Sequence, residues 1–319
     1  MSSPTNQNDA SRGVSNQLRR HYYLDREVII TPRRGQRPHS FASPVVPHIA
    51  TNSADCRFCD NNDPALYRLP ASGNWQVKVI ANEFPALTLN NTEAYGSHEV
   101  IIETPDSREF SALSHDEQLI VLGAYRHRIN ALSALPGIRY VQVLKNDGAL
   151  SGASIGHAHS QVLALPFIPP RVLEESRGQD AYRQEHGTCA VCDVTAWEEK
   201  QTIRIIYADK HVVAFAPYAS SSPYGVWVVP RRHEGQFTNV RSSELSSLAT
   251  VLGFLSARLD ATGTSFNWFL SNTLPHEDHH YMWKIEPREG TWSGFEMGTG
   301  VAVNTVPPEY AALWYKGKI

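Results

Sequence analysis

The pair of residues with the clearest chemical potential is His157 and His159, which come just ahead of the apolar run 162–165. Alternate residues of a strand point to the same face, so this spacing predicts two imidazoles side by side where a strand begins. One ring can then bind a metal ion while the other stays free for chemistry. Neutral imidazole is a strong nucleophile towards phosphorus and needs no activating base at pH 7, so the free ring is a candidate nucleophile. The alternative for an isolated His-x-His motif is a pair of partly exposed strand histidines.

All four cysteines lie in two Cys-x-x-Cys pairs, Cys56 with Cys59 and Cys189 with Cys192. Paired cysteines in a long chain of cytosolic character favour metal binding over disulfides. A redox role is the alternative, but a redox Cys-x-x-Cys motif opens a helix after a strand, and neither pair is predicted to do so. The sequence therefore predicts two metal sites.

Composition excludes several classes of protein. The chain has 319 residues, of which 41% are apolar and 19% charged, as is ordinary for a globular protein. No apolar run approaches the roughly 18 residues that span a bilayer, and the polar first 16 residues lack the hydrophobic core of a signal peptide. A net charge of -3 provides no basic surface for nucleic acid. We therefore expect a cytoplasmic protein without membrane or nucleic-acid partners.

The elements that must position these residues occur twice along the chain. Each half contains a Cys-x-x-Cys pair, two strands, one long helix and two further strands. Each helix begins with a serine as candidate cap and carries apolar residues at three-to-four spacing. A short strand at 26–31 and a basic loop at 32–38 precede both halves. The first half is predicted to have strands at 77–80, 99–103 and 140–144, the strand of the histidine pair and a helix at 114–132; the second has strands at 211–215, 226–229, 266–270 and 281–285 and a helix at 242–259.

Residues 146–161 contain Asn-x-Gly, Gly-Ala-Ser and His-x-His-x-Gln in that order. This segment resembles the active-site segment of the galactose-1-phosphate uridylyltransferase branch of the histidine-triad superfamily. Residues 26–38 resemble the N-terminal signature of the family, residues 82–87 its nucleotide loop, and residues 96–102 the strand that follows. The resemblance therefore runs from about residue 26 to the C terminus.

The repeat and the resemblance together predict an α+β fold of two fused histidine-triad-like units, in which antiparallel sheets with packed helices join into one sheet. We expect a disordered tail at 1–20, an N-terminal unit with the active site at 21–170 and a non-catalytic unit at 171–319, with a Pro-rich linker at 166–186. Residues 280–282, His-Tyr-Met, stand in the second unit where the first has His-Ala-His. The second unit thus keeps a possible metal ligand and lacks the nucleophile, which predicts one active site per chain.

The resemblance implies nucleotidyl transfer from a nucleoside diphosphate sugar to a phosphate acceptor through a covalent intermediate on His159. The backbone carbonyl of His157, or of a nearby residue, is expected to hold the other ring nitrogen of His159. Gln161 replaces the third histidine of the hydrolytic relatives, and a neutral amide can bind phosphoryl oxygens without protonating a leaving group. The substrate-binding positions carried over from the family are Arg34, Arg37, Asn82, Glu83, Asn146, Gly148, Ser154, Phe295 and Glu296.

Two of these positions, Arg34 and Arg37, match a basic loop that in the family reaches the active site of the neighbouring subunit, so a homodimer is implied.

The C-terminal segment 290–300 indicates which acceptor the enzyme uses. Uridylyltransferases place a lysine and a glutamine around a Gly-Tyr-Glu sequence to hold hexose phosphate, whereas Gly290, Phe295 and Ala302 stand at the lysine, tyrosine and glutamine positions here. This pattern is similar to that of ADP-sugar phosphorylases, which use free phosphate or a similar small anion as acceptor.

Zinc is the expected cofactor at both cysteine pairs. The second site, in which zinc would be structural, is complete as a tetrahedral set. For the first site the family adds a histidine after a Thr/Ser-Pro step, and a serine stands there, so Asp106, a water molecule or no metal remain alternatives. A first-site zinc would orient the strand of the nucleophile. The predicted ligands are Cys56, Cys59, Ser107 and His157 for the first site and Cys189, Cys192, His233 and His280 for the second.

Three functions follow from these features. The first hypothesis is a galactose-1-phosphate uridylyltransferase-like nucleotidyltransferase. The second is an ADP- or NDP-sugar phosphorylase that uses inorganic phosphate. A non-catalytic, zinc-containing nucleotide-binding protein is the alternative from a different class.

Overall fold

A computed structural model describes residues 15–36, 56–59, 63–290 and 292–319 of the chain. Besides short 3-10 turns, the described residues form thirteen strands and six α-helices. The strands are β1 (Gln17–Arg20), β2 (Glu27–Ile30), β3 (Tyr67–Leu69), β4 (Val77–Ala81), β5 (Ser97–Ile102), β6 (Tyr140–Asp147), β7 (His159–Leu165), β8 (Ile205–Ala208), β9 (Val212–Phe215), β10 (Val226–Pro230), β11 (Phe266–Ser271), β12 (Met282–Pro287) and β13 (Ala302–Asn304). The α-helices are α1 (His115–Ser133), α2 (Pro170–His186), α3 (Ala190–Gln201), α4 (Ser242–Asp260), α5 (Gly294–Thr299) and α6 (Pro308–Tyr315).

Ten strands form one antiparallel sheet in the order β3-β4-β5-β7-β6-β11-β12-β10-β9-β8. The first five strands come from the first half of the chain, and the second five repeat their arrangement in reverse. The halves join where β6 pairs with β11, with Asn146 opposite Asn267. The predicted α+β fold with one continuous sheet is confirmed.

Helices α1 and α4 lie together on one face of this sheet. Their apolar faces and the inward residues of the strands form the main core, in which Tyr125, Leu252, Trp268 and Trp283 are fully buried. Burial of each large apolar side chain contributes about 1.5–3 kcal/mol, so this layer fixes the sheet beneath the site.

The starts of the two helices differ from each other. Ser114 caps α1 as predicted, because its hydroxyl accepts from the backbone N–H of Glu117 (3.3 Å) and the Glu117 carboxylate accepts from the backbone N–H of Ser114 (2.7 Å). The predicted serine cap of α4 is wrong. Ser242 is already helical, and Arg241 precedes the helix with its backbone N–H bonded to Glu244 (2.8 Å).

The linker predicted at 166–186 contains the 17-residue helix α2. Pro170 occupies its first turn, and Gly187 ends it in the left-handed region at φ 74°. This helix has no apolar stripe in its sequence, because its buried residues are polar: Glu175, Ser176 and Gln179. Helix α3 then begins directly after Cys189, so this cysteine pair does open a helix, although after another helix and not after a strand.

The tail predicted at 1–20 is too long at its C-terminal end, because Gln17–Arg20 form β1. That strand pairs with β2, which also pairs with β13 in a small second sheet. The Arg19 guanidinium binds the Glu309 carboxylate at 3.0 and 3.1 Å and lies over the Tyr218 ring, which ties the strand down. The predicted basic loop forms a 3-10 turn at Pro32–Gln36. No helix in the described ranges has both the length and the apolarity to cross a bilayer.

Candidate active site and metal centres

His159 is the first residue of β7 and is only 6% exposed. Its neighbour Ser160 and the residues Val162 and Ala164 point towards α1 and the main core. Since side chains alternate along a strand, His159 and Gln161 point to the opposite face. His157 lies just before the strand, so the strand predicted to include both histidines begins at the second.

The ring of His159 has a defined tautomer. Its Nδ1 lies 2.7 Å from the carbonyl oxygen of His157, as the sequence predicted. A carbonyl oxygen only accepts, so Nδ1 carries the proton and Nε2 keeps its lone pair. Burial lowers the pKa of His159 below its usual range and outweighs the bond to His157, which keeps the ring neutral. A neutral ring with a free Nε2 is the form that attacks phosphorus.

The first metal group brings Cys56, Cys59 and His157 together. The Nδ1 atom of His157 lies 3.3 Å from Cys56 Sγ and 3.4 Å from Cys59 Sγ, and the three ligand atoms lie within 4.8 Å of one another. The Nε2–H of His157 donates a hydrogen bond to the carbonyl of Thr104 (2.7 Å). The other ring nitrogen, Nδ1, is then unprotonated, and its lone pair can bind a metal ion. Two thiols and one imidazole match three of the four ligands of a zinc site.

The fourth ligand of this group stays a prediction, for which Ser107 and Asp106 are the sequence candidates. Ser107 is exposed. The Asp106 carboxylate is bound by the Arg108 guanidinium (2.8 and 2.9 Å) and by the Thr104 hydroxyl (2.8 Å). Among the His, Cys, Asp and Glu side chains of the described residues, three have their ligand atoms grouped here.

The second metal group is complete, because all four predicted ligands converge. The ligand atoms of Cys189, Cys192, His233 and His280 lie within 4.8 Å of one another, with Cys192 Sγ 3.3 Å from His233 Nδ1 and 3.4 Å from His280 Nδ1. Hydrogen bonding from Cys192 and His280 lowers the pKa of the Cys189 thiol against the effect of burial, so it favours a thiolate at Cys189, the form that a metal needs.

A carboxylate supports this second group. The Nε2 atom of His233 lies 2.7 Å from Asp278 Oδ1, which orients Nδ1 towards the sulfur atoms. The four ligands come from the start of α3, the segment after β10 and the segment before β12. A bound metal would therefore tie three elements together.

One set of predicted substrate-binding residues lies on the side of the sheet that carries His159. Asn82 and Gln161 meet at the ring of His98, and the Glu83 carboxylate forms an ion pair with Arg57 (3.2 Å). Asn146 and Gly148 line a small cavity with His157, and Ser154 lies in the loop that closes it. Gly148 has φ 79°, and a Cβ there would lie 2.3 Å from the Ser265 hydroxyl, so only glycine fits.

A second set lies elsewhere in the molecule. Arg34 and Glu296 line a cleft of about 560 Å³ next to β12, and the adjoining Phe295 is 47% exposed. His159 and Gln161 do not line this cleft. Arg37 lies outside the described residues. The fold thus divides the predicted substrate-binding residues between two places.

A buried polar network under β7 has no counterpart in the sequence predictions. Lys145 Nζ donates to Glu103 Oε2 (2.9 Å) and to the carbonyl of His159 (3.3 Å). The Tyr125 hydroxyl donates to Glu103 Oε1 (2.8 Å), and Ser160 also binds this carboxylate. Burial alone would lower the pKa of Lys145, but the nearby carboxylates outweigh it and raise the pKa to about 12. The sequence signal that could have indicated this network is the presence of the charged residues Glu103 and Lys145 within apolar strand sequences.

Comparisons with known proteins identify similar sequences over most of the chain. A family model described as galactose-1-phosphate uridyl transferase, N-terminal domain, matches residues 9–169. An ADP-glucose phosphorylase from Arabidopsis thaliana is 31% identical over 349 residues, covering 98% of this chain and 97% of the relative. A galactose-1-phosphate uridylyltransferase from Thermotoga maritima is 27% identical over 270 residues, covering 79% and 81%.

The fold is also shared with solved structures. The crystal structure of an ADP-glucose phosphorylase from Arabidopsis thaliana with bound ADP-glucose superposes with a TM-score of 0.84 at 30% identity, covering 95% of this chain and 99% of that one. The motif order, the fold and the extent of these matches show that this chain belongs to the galactose-1-phosphate uridyl transferase family, whose members are enzymes that act on nucleotide sugars as nucleotidyltransferases or phosphorylases.

Proposed function

We propose that this protein is an ADP-sugar phosphorylase that works through a nucleotidyl group carried by His159. The observation that supports the substrate class most strongly is the similarity to an ADP-glucose phosphorylase over 98% of the chain. The acceptor follows from the C-terminal segment, where Gly290 and Ala302 leave out the lysine and glutamine that would hold a hexose phosphate. A site without that lysine lacks a cation for a bulky phosphate ester and suits free phosphate.

In the first half-reaction, the lone pair on His159 Nε2 forms a bond to the α-phosphorus of the ADP-sugar. The bond from this phosphorus to the bridging oxygen breaks, and sugar 1-phosphate leaves. The Nδ1–H···O bond to His157 stabilises the positive charge that develops on the ring. Gln161 faces the same side and is placed to donate from its amide to the phosphoryl oxygens.

In the second half-reaction, an oxygen of inorganic phosphate attacks the same phosphorus and breaks the P–N bond. ADP leaves, and His159 returns to its neutral form. Gln161 has no titratable proton to activate water, so the amide favours phosphate over hydrolysis as the fate of the intermediate. The two half-reactions share one site, so the kinetics are ping-pong.

Zinc is the metal proposed for both cysteine groups. At the second group it would hold α3 to the segments around β10 and β12. At the first group it would hold His157, and through the His157 carbonyl it would set the ring of His159. Neither metal contacts the phosphate in this scheme, and every chemical step uses side chains of the chain itself.

A homodimer is also part of this proposal. Arg34 and Glu296 line the cleft beside β12, away from His159, although the resemblance assigns both to the substrate. They can meet the substrate at His159 when a second copy presents its cleft residues to that site. The dimer would thereby add the Arg34 guanidinium of one copy to the site that contains His159 of the other.

The test of function is a matrix of two donors and two acceptors, with product analysis. ADP-glucose with phosphate should yield ADP and glucose 1-phosphate, and turnover should vanish in His159→Ala. Turnover confined to UDP-glucose with galactose 1-phosphate would instead favour a uridylyltransferase. The similarity to the Thermotoga maritima uridylyltransferase supports this second candidate. Nucleotide binding without product from any pair would support the non-catalytic protein.

A further inference from the structure

The ring of His98 on β5 links the nucleotide loop to the strand of the nucleophile. The backbone N–H of Ala86 donates to His98 Nδ1 (3.2 Å). His98 Nε2 lies 2.8 Å from Gln161 Oε1 and 3.1 Å from Asn82 Nδ2. On the sheet, β5 and β7 are neighbours, with Gln161 opposite Val100.

These contacts determine the tautomer of His98. A backbone amide can only donate, so Nδ1 must accept and carries no proton. The single proton of the neutral ring is therefore on Nε2, where it points at the side-chain amide of Gln161. An N–H donor requires an acceptor, so the amide must present its oxygen to His98 and its NH₂ group away from it.

Asn82 does not compete for this proton. Its side-chain oxygen accepts from the backbone N–H of Phe84 (2.8 Å), so the amide presents NH₂ towards His98. A protonated Nε2 of His98 has no lone pair to accept a hydrogen bond from this NH₂ group. The 3.1 Å distance between Asn82 Nδ2 and His98 Nε2 is therefore a contact without a hydrogen bond. Gln161 Oε1 is then the acceptor of the His98 proton.

We propose that His98 is a positioning residue that fixes the amide of Gln161 with its NH₂ group towards the transferring phosphoryl group. This inference rests on the proposed function and adds the reason why the glutamine donates. Without His98 the amide can rotate by 180° and present its oxygen to the anionic phosphoryl oxygens, which repels them. The sequence predicted that Gln161 binds phosphoryl oxygens, but it did not identify a residue that orients the Gln161 amide.

The second half of the sheet supports the pairing of these two residues. In the first half, Gln161 on β7 is opposite Val100 on β5. At the corresponding place in the second half, Lys284 on β12 is opposite Trp227 on β10. By the same register Gly225 takes the place of His98, and Met282 takes the place of His159. The half without a nucleophile therefore keeps neither the glutamine nor the histidine.

The first experiment compares His98→Leu with His98→Gln in the reaction of ADP-glucose with phosphate. His98→Leu should lower kcat about tenfold with a much smaller change in KM for phosphate, because the lost interaction matters most as phosphoryl charge develops. His98→Gln can donate from its own amide and should recover most of this loss. Equal activity of His98→Leu and the unmodified protein would overturn the inference.

A double-mutant cycle shows whether His98 acts through Gln161. In a Gln161→Ala background, His98→Leu should cause little further loss, whereas independent losses that multiply would contradict the proposal. The thermal midpoints of all variants identify any that fail to fold.

The tautomer itself can be read in the unmodified protein by two-bond ¹H–¹⁵N correlation of the histidine rings. His98 should show the proton on Nε2, and a proton on Nδ1 would overturn the inference even if the variants fail to fold. Absence of turnover in the unmodified protein, with the tautomer as expected, would instead count against the proposed function and leave the hydrogen-bond assignment standing.

Discussion

Two carbonyl oxygens give the neighbouring histidines different roles. The bond from His157 Nε2 to Thr104 turns Nδ1 towards the cysteines, and the bond from His159 Nδ1 to His157 leaves Nε2 free. Spacing alone predicted one ring for metal and one for chemistry. It could not predict that His157 uses Nδ1 for the metal, because Thr104, which binds the other ring nitrogen, lies 53 residues away and the two meet only in the folded chain.

The same limit explains why His98 was not anticipated. His98 and Gln161 are 63 residues apart, and their contact depends on the register of β5 and β7. Motifs in a sequence identify residues that act on a substrate. Residues that orient them are seen only when neighbouring strands are paired.

At this scale we predict that Gln161→His shifts the fate of the intermediate towards water. A histidine can serve as general base or acid, which an amide cannot, and such catalysis contributes roughly 10²–10⁴-fold. The ratio of AMP to ADP released from ADP-glucose in the presence of phosphate should rise at least about tenfold. The exposed Gln184→His is the matched control and should leave this ratio unchanged.

Among the elements, α1 was predicted within one residue because its capping box and apolar spacing are local signals. Helix α2 was not, because its inward face is polar. Glu175 on this helix accepts from Lys284 on β12 (2.5 Å) and from Ser271 on β11 (2.8 Å). A helix that packs through an ion pair has no apolar periodicity to find in the sequence.

That ion pair predicts acid sensitivity of the fold. Burial alone would raise the pKa of Glu175, but Lys284 outweighs it and lowers the pKa to about 2. A carboxyl with a lowered pKa stabilises the fold above its unfolded pKa of about 4.3, and this contribution is lost as pH falls towards 2. Glu175→Gln should therefore show a shallower loss of unfolding free energy between about pH 4.3 and 2, by up to about 1.4 kcal/mol per pH unit.

Urea denaturation followed by tryptophan fluorescence at several pH values measures this slope. The exposed Glu185→Gln serves as the control and should retain the slope of the unmodified protein. Parallel stability curves for Glu175→Gln and the unmodified protein would show that the pair does not carry the acid sensitivity.

The second metal group joins three elements, and its removal should show in both metal content and stability. Cys192→Ala should lose one equivalent of zinc per chain, as measured by elemental mass spectrometry of dialysed protein, and should lower the thermal midpoint. Cys59→Ala, in the three-ligand group, reports on the other site separately. Zinc content that is unaffected by Cys192→Ala would mean that these four residues do not hold the metal.

In the whole molecule, one structural plan is used twice with different outcomes. We propose that residues 21–170 and 171–319 are the two units of this duplication, since five strands from each half form mirrored parts of one sheet. The sequence predicted this plan from the repeated order of elements. The resemblance assigned Arg34 to the site of a neighbouring subunit, but nothing in the sequence predicted that Glu296 would line the same cleft, because its placement depends on how β2, β13 and α5 assemble against the second half.

A complementation experiment tests the dimer. His159→Ala and Arg34→Ala, each with its own affinity tag, are co-expressed and the mixed dimer is isolated. If Arg34 serves the partner's site, the mixed dimer contains one intact site of two and should recover about half of the unmodified activity. An inactive mixed dimer, or a monomer in sedimentation analysis, would contradict the shared site.

The central claim is that the His159 ring carries the nucleotide between the two half-reactions. The most direct measurement is mass spectrometry of the protein mixed with ADP-glucose in the absence of phosphate, with peptide mapping under conditions that preserve phosphoramidates. We predict an AMP adduct on His159 that disappears when phosphate is added and does not form in His159→Ala. No adduct from any nucleotide sugar, or an adduct on a different residue, would contradict the mechanism.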